Sequence, residues 1–361
     1  MLIDSHLHYD SSGDALKILK ALEITESDAC CLQSQIDTKK INQNFDCFYA
    51  KLLCKNKVYI NGALNASYYY HQELMDQMPE YIERMLKCGI DGIKMIEGKP
   101  TERKLFPIPN FDDPIFDATF AYLEEKRIPI TWHVNDPEEF WDETLVPDWA
   151  RRSGWFYADG TFVNNLEQYQ QIANLLKKHP NLVITFAHFY FLSNDLKTLA
   201  TIFDTYPNVS VDLTPGVEMY TNMSNNIDEA RTFFKKYPDR IIYGSDISVD
   251  QGEINHLNEK DAMTRKNLCH EFLTKKEFTL KGDPNGLLGK DDLKLNGLNL
   301  DQALVEMIEA KNFLKRYACH HPLNIPLILE EIKIHRRLLK EHHLDDSYLD
   351  KIEKAFLTYH E

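Results

Sequence analysis

The chain has 361 residues, and its 41 Lys and Arg against 56 Asp and Glu give a formal net charge of −15. This acidic balance, without a basic cluster, argues against a nucleic-acid-binding protein, because phosphate contacts need clustered Lys and Arg. A hydrophobic fraction of 43% is enough to bury a core, and no apolar run is long enough to cross a bilayer, so we expect neither a disordered chain nor a membrane protein.

The cysteines and the N-terminus favour a cytoplasmic location. The N-terminal residues Met1–His6 lack the basic and apolar regions of a signal peptide. The cysteines are odd in number and show no CxxC spacing, which is typical of buried free thiols in a reducing compartment. They are residues 30, 31, 47, 54, 88, 269 and 319.

Eight short apolar, β-branched segments recur along the first 250 residues, and each is followed by a polar loop and a longer segment. Successive starts lie 26 to 54 residues apart, which suits one strand and one helix per unit. The predicted strands begin near Leu2, Asp28, Lys57, Ile90, Ile128, Leu182, Val209 and Ile241.

The segments between these strands have the periodicity of amphipathic helices. Met78, Ile82 and Met85 fall on one helical stripe that ends before Gly89, a residue typical of a helix C-terminus. Nearly continuous apolar strands that alternate with helices predict a parallel sheet covered on both faces. Eight such units predict closure into a (β/α)₈ barrel.

Two segments interrupt this alternation. A loop of residues 136–163 follows the fifth strand, on the face where barrel active sites are built, and contains Trp141, Trp149 and Trp155. The polar stretch 249–300 is predicted to be an insertion or a lid. We therefore expect residues 1–361 to form one domain, with the barrel strands within 1–248 and C-terminal helices in 301–361. The three predicted tail helices are Gln302–Cys319, Pro326–His343 and Tyr348–Tyr359.

Polar residues at the ends of the predicted strands point to a metal site. His6 and His8 lie two apart on the first strand, so both side chains point to one side of the sheet. His133, His188 and Asp246 each follow the apolar part of another strand. Imidazoles with a carboxylate suit a catalytic divalent metal. Asp4 and Asp212 are also on strands, and a structural hydrogen bond explains each at least as well as catalysis does.

These residues lie in motifs that resemble the amidohydrolase superfamily, in its amidohydrolase-related branch of barrel hydrolases and decarboxylases. Asp4–His8 resembles the first-strand signature of the family, and Thr185–His188 resembles its sixth-strand histidine. Arg240–Asp246 resembles the motif that ends in the catalytic aspartate, and Lys311–Tyr317 is similar to the helix that follows it. The resemblance covers nearly the whole chain.

The resemblance implies a role for each matching residue. His6, His8 and His133 are implied to bind the metal, and Asp246 to contact it and accept a proton from the attacking water. His188 is implied to polarise the substrate carbonyl or to bind a second metal. The physical logic agrees, since a metal lowers the pKa of water and a nearby carboxylate can accept the proton.

Three further residues are open to more than one interpretation. Lys94 lies at the end of the fourth strand, where binuclear branches of the superfamily carry a carboxylated lysine that bridges two metals. The surrounding motifs favour one metal, with Lys94 near the site as a substrate contact or a rim residue. Arg151 and Trp141 belong to the fifth-strand loop, either as substrate contacts or as parts of a packed surface loop.

The leading hypothesis is a metal-dependent hydrolase that cleaves an amide or lactone bond in a small, carboxylate-bearing substrate. The alternative is a non-oxidative decarboxylase of the same branch; a metal-free lactonase and a non-catalytic binding barrel are further options. Zinc is the default ion for a histidine-rich site, with Mn²⁺ or Fe²⁺ as alternatives and one ion per chain. The expected partner is a small-molecule substrate, and the helical tail and insertion offer surface for a homo-oligomer.

Overall fold

The parallel sheet places the C-terminal ends of its strands at one mouth, where the predicted site residues lie. A computed structural model describes residues 1–10, 15–251, 257–317 and 320–359. Its strands are β1 Ile3–Asp10, β2 Ala29–Gln33, β3 Ile36–Asp37, β4 Ile41–Asn42, β5 Val58–Ala63, β6 Gly92–Gly98, β7 Ile130–Val134, β8 Ile184–Phe186, β9 Val209–Asp212, β10 Ile241–Ile242, β11 Ile247–Gln251, β12 Glu277–Leu280 and β13 Leu293–Asn296.

Helices follow the barrel strands and form the outer layer. They are α1 Lys17–Thr25, α2 Asn44–Cys54, α3 Ser67–Tyr70, α4 Met78–Cys88, α5 Pro100–Leu105, α6 Asp117–Lys126, α7 Asp148–Arg152, α8 Asn165–Lys178, α9 Leu196–Thr205, α10 Val217–Asn225, α11 Ile227–Lys236, α12 Glu259–Thr274, α13 Gln302–Glu306, α14 Asn312–Arg316, α15 Ile325–Glu341 and α16 Tyr348–Thr358. On α4 the predicted stripe of Met78, Ile82 and Met85 is buried, and the helix ends at Gly89 with φ of 123°. None of these helices is long and apolar enough to cross a membrane.

The main sheet is parallel and closes on itself. Among the described residues its strands follow the order β10-β9-β8-β7-β6-β5-β2-β1-β11. The two ends of this order, β10 and β11, are separated in the chain only by Tyr243–Asp246. Because β10 pairs with β9 and β11 pairs with β1, one continuous segment joins the ends. The predicted (β/α)₈ barrel is confirmed.

The eighth strand differs from the prediction. Instead of one strand over residues 241–246, the chain forms β10, leaves regular pairing, and resumes as β11. The Ser5 amide still donates to the Tyr243 carbonyl at 3.1 Å, and the Asp246 amide donates to the His6 carbonyl at 2.9 Å. Asp246 has a left-handed φ of 58°, so this break turns its side chain out of the regular strand alternation.

The segment predicted as an insertion contributes structure of its own. Helix α12 packs against α1, and β12 pairs with β13 in an antiparallel hairpin. Within the tail, the first predicted helix is broken into α13, a π-helical turn at Met307–Lys311, and α14. Residues 252–256 of the insertion and Cys319 of the tail lie outside the described residues.

Candidate metal centre

Three side chains at the mouth of the barrel form a cluster with the chemistry of a metal site. One ligand atom each from His6, His8 and Asp246 lies within 4.8 Å of the others. The His8 Nε2 atom lies 3.2 Å from His6 Nε2 and 3.1 Å from Asp246 Oδ1. Both histidines are buried, while 27% of the Asp246 side chain is exposed. The structure therefore brings together three of the predicted metal ligands.

The eighth segment must pass close to β1 to bring Asp246 to the histidines. Gly244 lies where a Cβ atom would be 3.0 Å from His6 Cβ and 2.9 Å from Thr214 Oγ1. A side chain at position 244 would push these groups apart, so the glycine permits this approach. Asp4 also holds the segment, since it accepts hydrogen bonds from the Ser245 hydroxyl and from the Ser245 amide at 3.0 Å.

Asp212 orients the first histidine. Its Oδ2 lies 2.9 Å from His6 Nδ1, and its Oδ1 accepts from the amides of His188 at 2.9 Å and Thr214 at 3.1 Å. An ionised carboxylate only accepts hydrogen bonds, so this contact places the His6 proton on Nδ1 and the lone pair on Nε2. A carboxylate behind a histidine is the usual support of a metal ligand, and Asp212 takes that position here.

The electrostatics of the cluster favour the protonation states that metal binding requires. Burial, with the charge of Lys94 as the next cause, lowers the pKa of His6 well below its usual value. Burial acts to raise the pKa of Asp246, but its hydrogen bond with His8 and the charges around it hold the pKa well below the usual value. At neutral pH His6 is therefore neutral and Asp246 is ionised, as metal ligands must be.

Lys94 lies inside the barrel rather than at its rim. Its side chain is 1% exposed, and Nζ lies 3.1 Å from His6 Nε2. Burial lowers the pKa of Lys94 to about 8. The Lys94 ammonium group thus contacts His6 Nε2, the nitrogen that also faces His8, and Lys94 lies directly beside the cluster.

His133 and His188 lie beside the cluster and face each other. Their ring centroids are 4.8 Å apart, and the centroids of His188 and His6 are 5.9 Å apart. Burial lowers the pKa of His188 to about 3 and also lowers that of His133. His133 Nε2 lies 3.2 Å from Asp136 Oδ1, outside the close group of three ligand atoms. His188 follows β8 in a tight turn with φ of 54° and stacks on Phe191 at 5.2 Å.

The fifth-strand loop reaches the site through Asp136. This carboxylate accepts from Lys99 Nζ at 2.9 Å and from the Tyr157 hydroxyl at 2.6 Å. Tyr157 belongs to a small aromatic core within the loop, together with Phe140. Asp136 therefore joins this loop to His133.

The two loop residues predicted as substrate contacts pack within the loop itself. Trp141 donates to the Val163 carbonyl at 3.0 Å and packs on Tyr157 with centroids 4.7 Å apart. Arg151 donates to the Glu143 carbonyl, and its guanidinium lies 4.1 Å from the centroid of Phe156. These contacts match the packed-loop interpretation of both side chains.

One residue near the cluster was missed by sequence reasoning. Arg265 lies on α12, and its Nη1 is 3.6 Å from Asp246 Oδ2. The polar composition of the segment 249–300 predicts an insertion or a lid and does not by itself indicate this helix. The available signal was the Asn258 cap followed by Asp261 and Arg265 at helical i, i+4 spacing.

The donor set fits a divalent transition metal. Two imidazole nitrogens and one carboxylate are ligands that zinc and its neighbours accept, and Asp212 supplies the outer hydrogen bond. His6, His8 and Asp246 would hold the ion, and His133 and His188 lie close enough to face a substrate bound there.

Comparison with protein families gives one match. The family model described as amidohydrolase matches residues 72–279, which is more than half of the chain. No curated protein matches the chain.

Solved structures share the fold at low sequence identity. A probable 2-pyrone-4,6-dicarboxylic acid hydrolase from Acinetobacter baumannii, solved with citric acid bound, is 11% identical with a TM-score of 0.52, over 88% of this chain and 99% of that one. An uncharacterised TIM-barrel protein from Bordetella bronchiseptica is 13% identical, with the same TM-score and the same coverage. A putative amidohydrolase from Staphylococcus aureus is 11% identical, again with a TM-score of 0.52 and the same coverage.

Proposed function

Because the chain belongs to the amidohydrolase family, we propose that it is a metal-dependent hydrolase that uses activated water to cleave an amide or lactone bond of a small carboxylate-bearing substrate. The observation that supports this most directly is the group of His6, His8 and Asp246 at the barrel mouth. We infer one ion per chain, with zinc as the first choice. The proposed setting is the cytoplasm, with residues 1–361 acting as one unit.

Each site residue has a role in this proposal. A divalent ion held there supplies Lewis acidity and makes water acidic enough to ionise near neutral pH. Asp246 accepts a proton from the attacking water, since its carboxylate is ionised, partly exposed and beside His8. Asp212 keeps His6 Nε2 turned into the cluster. His188 is neutral and lies beside both His6 and His133, which suits hydrogen bonding to a substrate oxygen.

His133 is proposed as the third histidine ligand, although its Nε2 now contacts Asp136. Ring rotation about the side-chain torsions is inexpensive compared with a metal–nitrogen bond. Lys94 is proposed as a residue near the ion that is not a ligand, because its contact is with His6 alone among the three clustered side chains.

The test is elemental analysis of protein purified without chelators and without a nickel column. We expect about one transition-metal ion per chain, and much less in the His6→Ala/His8→Ala variant. The loaded protein should then be screened on amides and lactones of small carboxylic acids, with Asp246→Asn as the inactive control. A protein that holds no metal and ignores added Zn²⁺, Mn²⁺ and Fe²⁺ would contradict the proposal. Release of carbon dioxide from a carboxylate substrate would instead identify a decarboxylase.

A further inference from the structure

Helix α12 brings a guanidinium group to the open side of the candidate metal centre. Arg265 Nη1 lies 3.6 Å from Asp246 Oδ2, whereas the other oxygen of that carboxylate faces His8. A separation of 3.6 Å is longer than a good charge-assisted hydrogen bond. Arg265 is therefore close to the proposed catalytic base without being saturated by it.

The Arg265 guanidinium is held in place by a carboxylate on its own helix. Its Nε donates to Asp261 Oδ2 at 2.7 Å, one helical turn earlier on α12. Asp261 Oδ1 in turn accepts from the Leu287 amide at 2.6 Å, which ties this carboxylate to the loop between β12 and β13. Since Nε is fixed, the Nη1–Nη2 edge is oriented before any ligand arrives, and preorganisation reduces the entropy that binding costs.

The same edge retains unused donors. Nη1 makes only a 3.5 Å contact with the Ser245 carbonyl besides its approach to Asp246, and Nη2 has no acceptor among the described residues. The side chain is 17% exposed, so it is accessible yet mostly removed from water. A buried guanidinium with open donors binds planar oxyanions, because its fork matches the two oxygens of a carboxylate.

The other cations near the mouth are already occupied. Lys99 Nζ is bound by Asp136 and lies 4.5 Å from the centroid of Trp155. Arg151 is packed on Phe156. Lys94 is 1% exposed, and its Nζ contacts His6 Nε2. Arg265 is thus the one of these four cations whose unpaired donors lie beside Asp246 at the candidate centre.

We propose that Arg265 binds an anionic group, a carboxylate, of the substrate beside the candidate metal centre, and so determines specificity for a substrate with a second acidic group. This inference rests on the proposed function, because it places one substrate oxygen at the ion and the carboxylate at Arg265. The resulting substrate class is a dicarboxylate, or an amide or lactone that retains a free carboxylate.

The experiment measures how much the second carboxylate of a probe contributes to binding. Malonate, succinate and glutarate are each compared with their monoamides by calorimetry on the zinc-loaded full chain, so that every probe keeps one carboxylate for the ion. For at least one chain length, we expect the wild type to prefer the diacid about tenfold or more, and Arg265→Met to lose that preference. Arg265→Lys should restore part of it, because the charge returns without the fork.

Two controls separate recognition from structure. Lys266→Met removes the same charge from the same helix, but its ammonium group lies 3.5 Å from Glu26, so it should keep the wild-type preference. Zinc content and melting temperature of each variant show whether the centre and the fold are intact. If Arg265→Met does not fold, the comparison of Arg265→Lys with the wild type decides in its place.

The possible outcomes are distinct. A diacid preference that keeps its wild-type size in folded Arg265→Met, or in Arg265→Lys where Arg265→Met does not fold, or that is absent from the wild type at every chain length, overturns the inference while leaving the metal-dependent function standing. A preference that depends on Arg265 in a chain that holds no zinc supports an anion site and overturns the proposed function. A preference that is lost in Arg265→Met, reduced in Arg265→Lys and kept in Lys266→Met supports both.

Discussion

Asp212 shows how one buried carboxylate controls the geometry of the candidate centre. It contacts His6 through one oxygen and the backbone amides of His188 and Thr214 through the other. Its residue type and position on a strand were available from the sequence, but its partners lie 206 and 24 residues away along the chain. Only the closed barrel brings them together.

Replacement of the Asp212 carboxylate should lower the affinity for zinc more than it lowers the free energy of unfolding. In Asp212→Asn the amide no longer fixes the His6 proton on Nδ1, so we expect about a 10- to 100-fold loss of zinc affinity. Competition with a chromophoric chelator measures this. Asp228→Asn is the matched control, since Asp228 is exposed and pairs with Arg231 far from the cluster. Equal zinc affinities in Asp212→Asn and wild type would contradict the role of Asp212.

Glu97, which is not one of the candidate metal ligands, should make the stability of the folded state depend on pH. Its side chain is fully buried, accepts from the Tyr69 hydroxyl at 2.8 Å, and has no partner for Oε2 among the described residues. Burial raises its pKa from 4.5 to about 7. Between these two values the folded state holds a proton that the unfolded state has lost, so stability falls as pH rises.

Glu97→Gln should remove this dependence. Between pH 4.5 and pH 7 the free energy of unfolding of the wild type should fall by on the order of 3 kcal/mol because of this one group. Above pH 7 it should stay at the lower value. Urea unfolding at pH 5 and pH 8 measures it, and we expect the variant to gain stability over wild type at pH 8 but not at pH 5. An equal difference between the two proteins at both pH values would show that Glu97 does not titrate in this way.

At the scale of elements, closure of the barrel depends on a contact that joins its first and last strands. Asp4 on β1 accepts the amide and hydroxyl of Ser245, between β10 and β11, and also the His6 amide at 3.1 Å. A structural hydrogen bond is one interpretation of Asp4 from the sequence, and Ser245 is the partner in the folded chain. Asp4 therefore stabilises the irregular segment at residues 243–246.

Asp4→Ala should destabilise this closure. The change leaves three buried donors without their acceptor, and each unsatisfied group costs about 1–3 kcal/mol, so we expect a total loss of several kcal/mol in the free energy of unfolding. Chemical denaturation measures it. Ser245→Ala removes the hydroxyl donor and the acceptor of the Ile247 amide but leaves Asp4 with its two amide partners, so its loss should be smaller, about 1–2 kcal/mol. If both variants lose the same small amount, the contact does not hold the barrel closed.

At the scale of the whole molecule, metal binding and folding should be linked. The clustered ligands come from the two ends of the barrel, residues 6–8 and residue 246, so the site exists only in the folded chain. A ligand present at 100 times its dissociation constant stabilises the folded state by about 2.7 kcal/mol.

Zinc should therefore raise the melting temperature by several degrees in wild type, and a chelator should reverse the change. Differential scanning calorimetry with and without zinc measures this. The His6→Ala/His8→Ala variant, which retains Asp246 but lacks the imidazoles, should show no zinc-dependent shift. A shift of the same size in this variant would place the metal elsewhere.

Local periodicity was enough to predict the alternation of eight apolar strands with amphipathic helices, and hence the barrel. The sequence also indicated His6, His8 and Asp246, since polar residues at strand ends stand out against apolar surroundings. It did not indicate the break in the eighth strand, helix α12 or Arg265.

Which of these residues contact one another depends on how the whole chain packs. The backbone turn at Asp246 and the contact of Lys94 with His6 both depend on chain segments that are distant in sequence. Arg151 on α7 and Arg265 on α12 both belong to segments that interrupt the alternation of strands and helices, yet one packs on its own loop and the other faces Asp246. Periodicity records which face of an element is buried, but the partners across that face are set by packing of the whole chain.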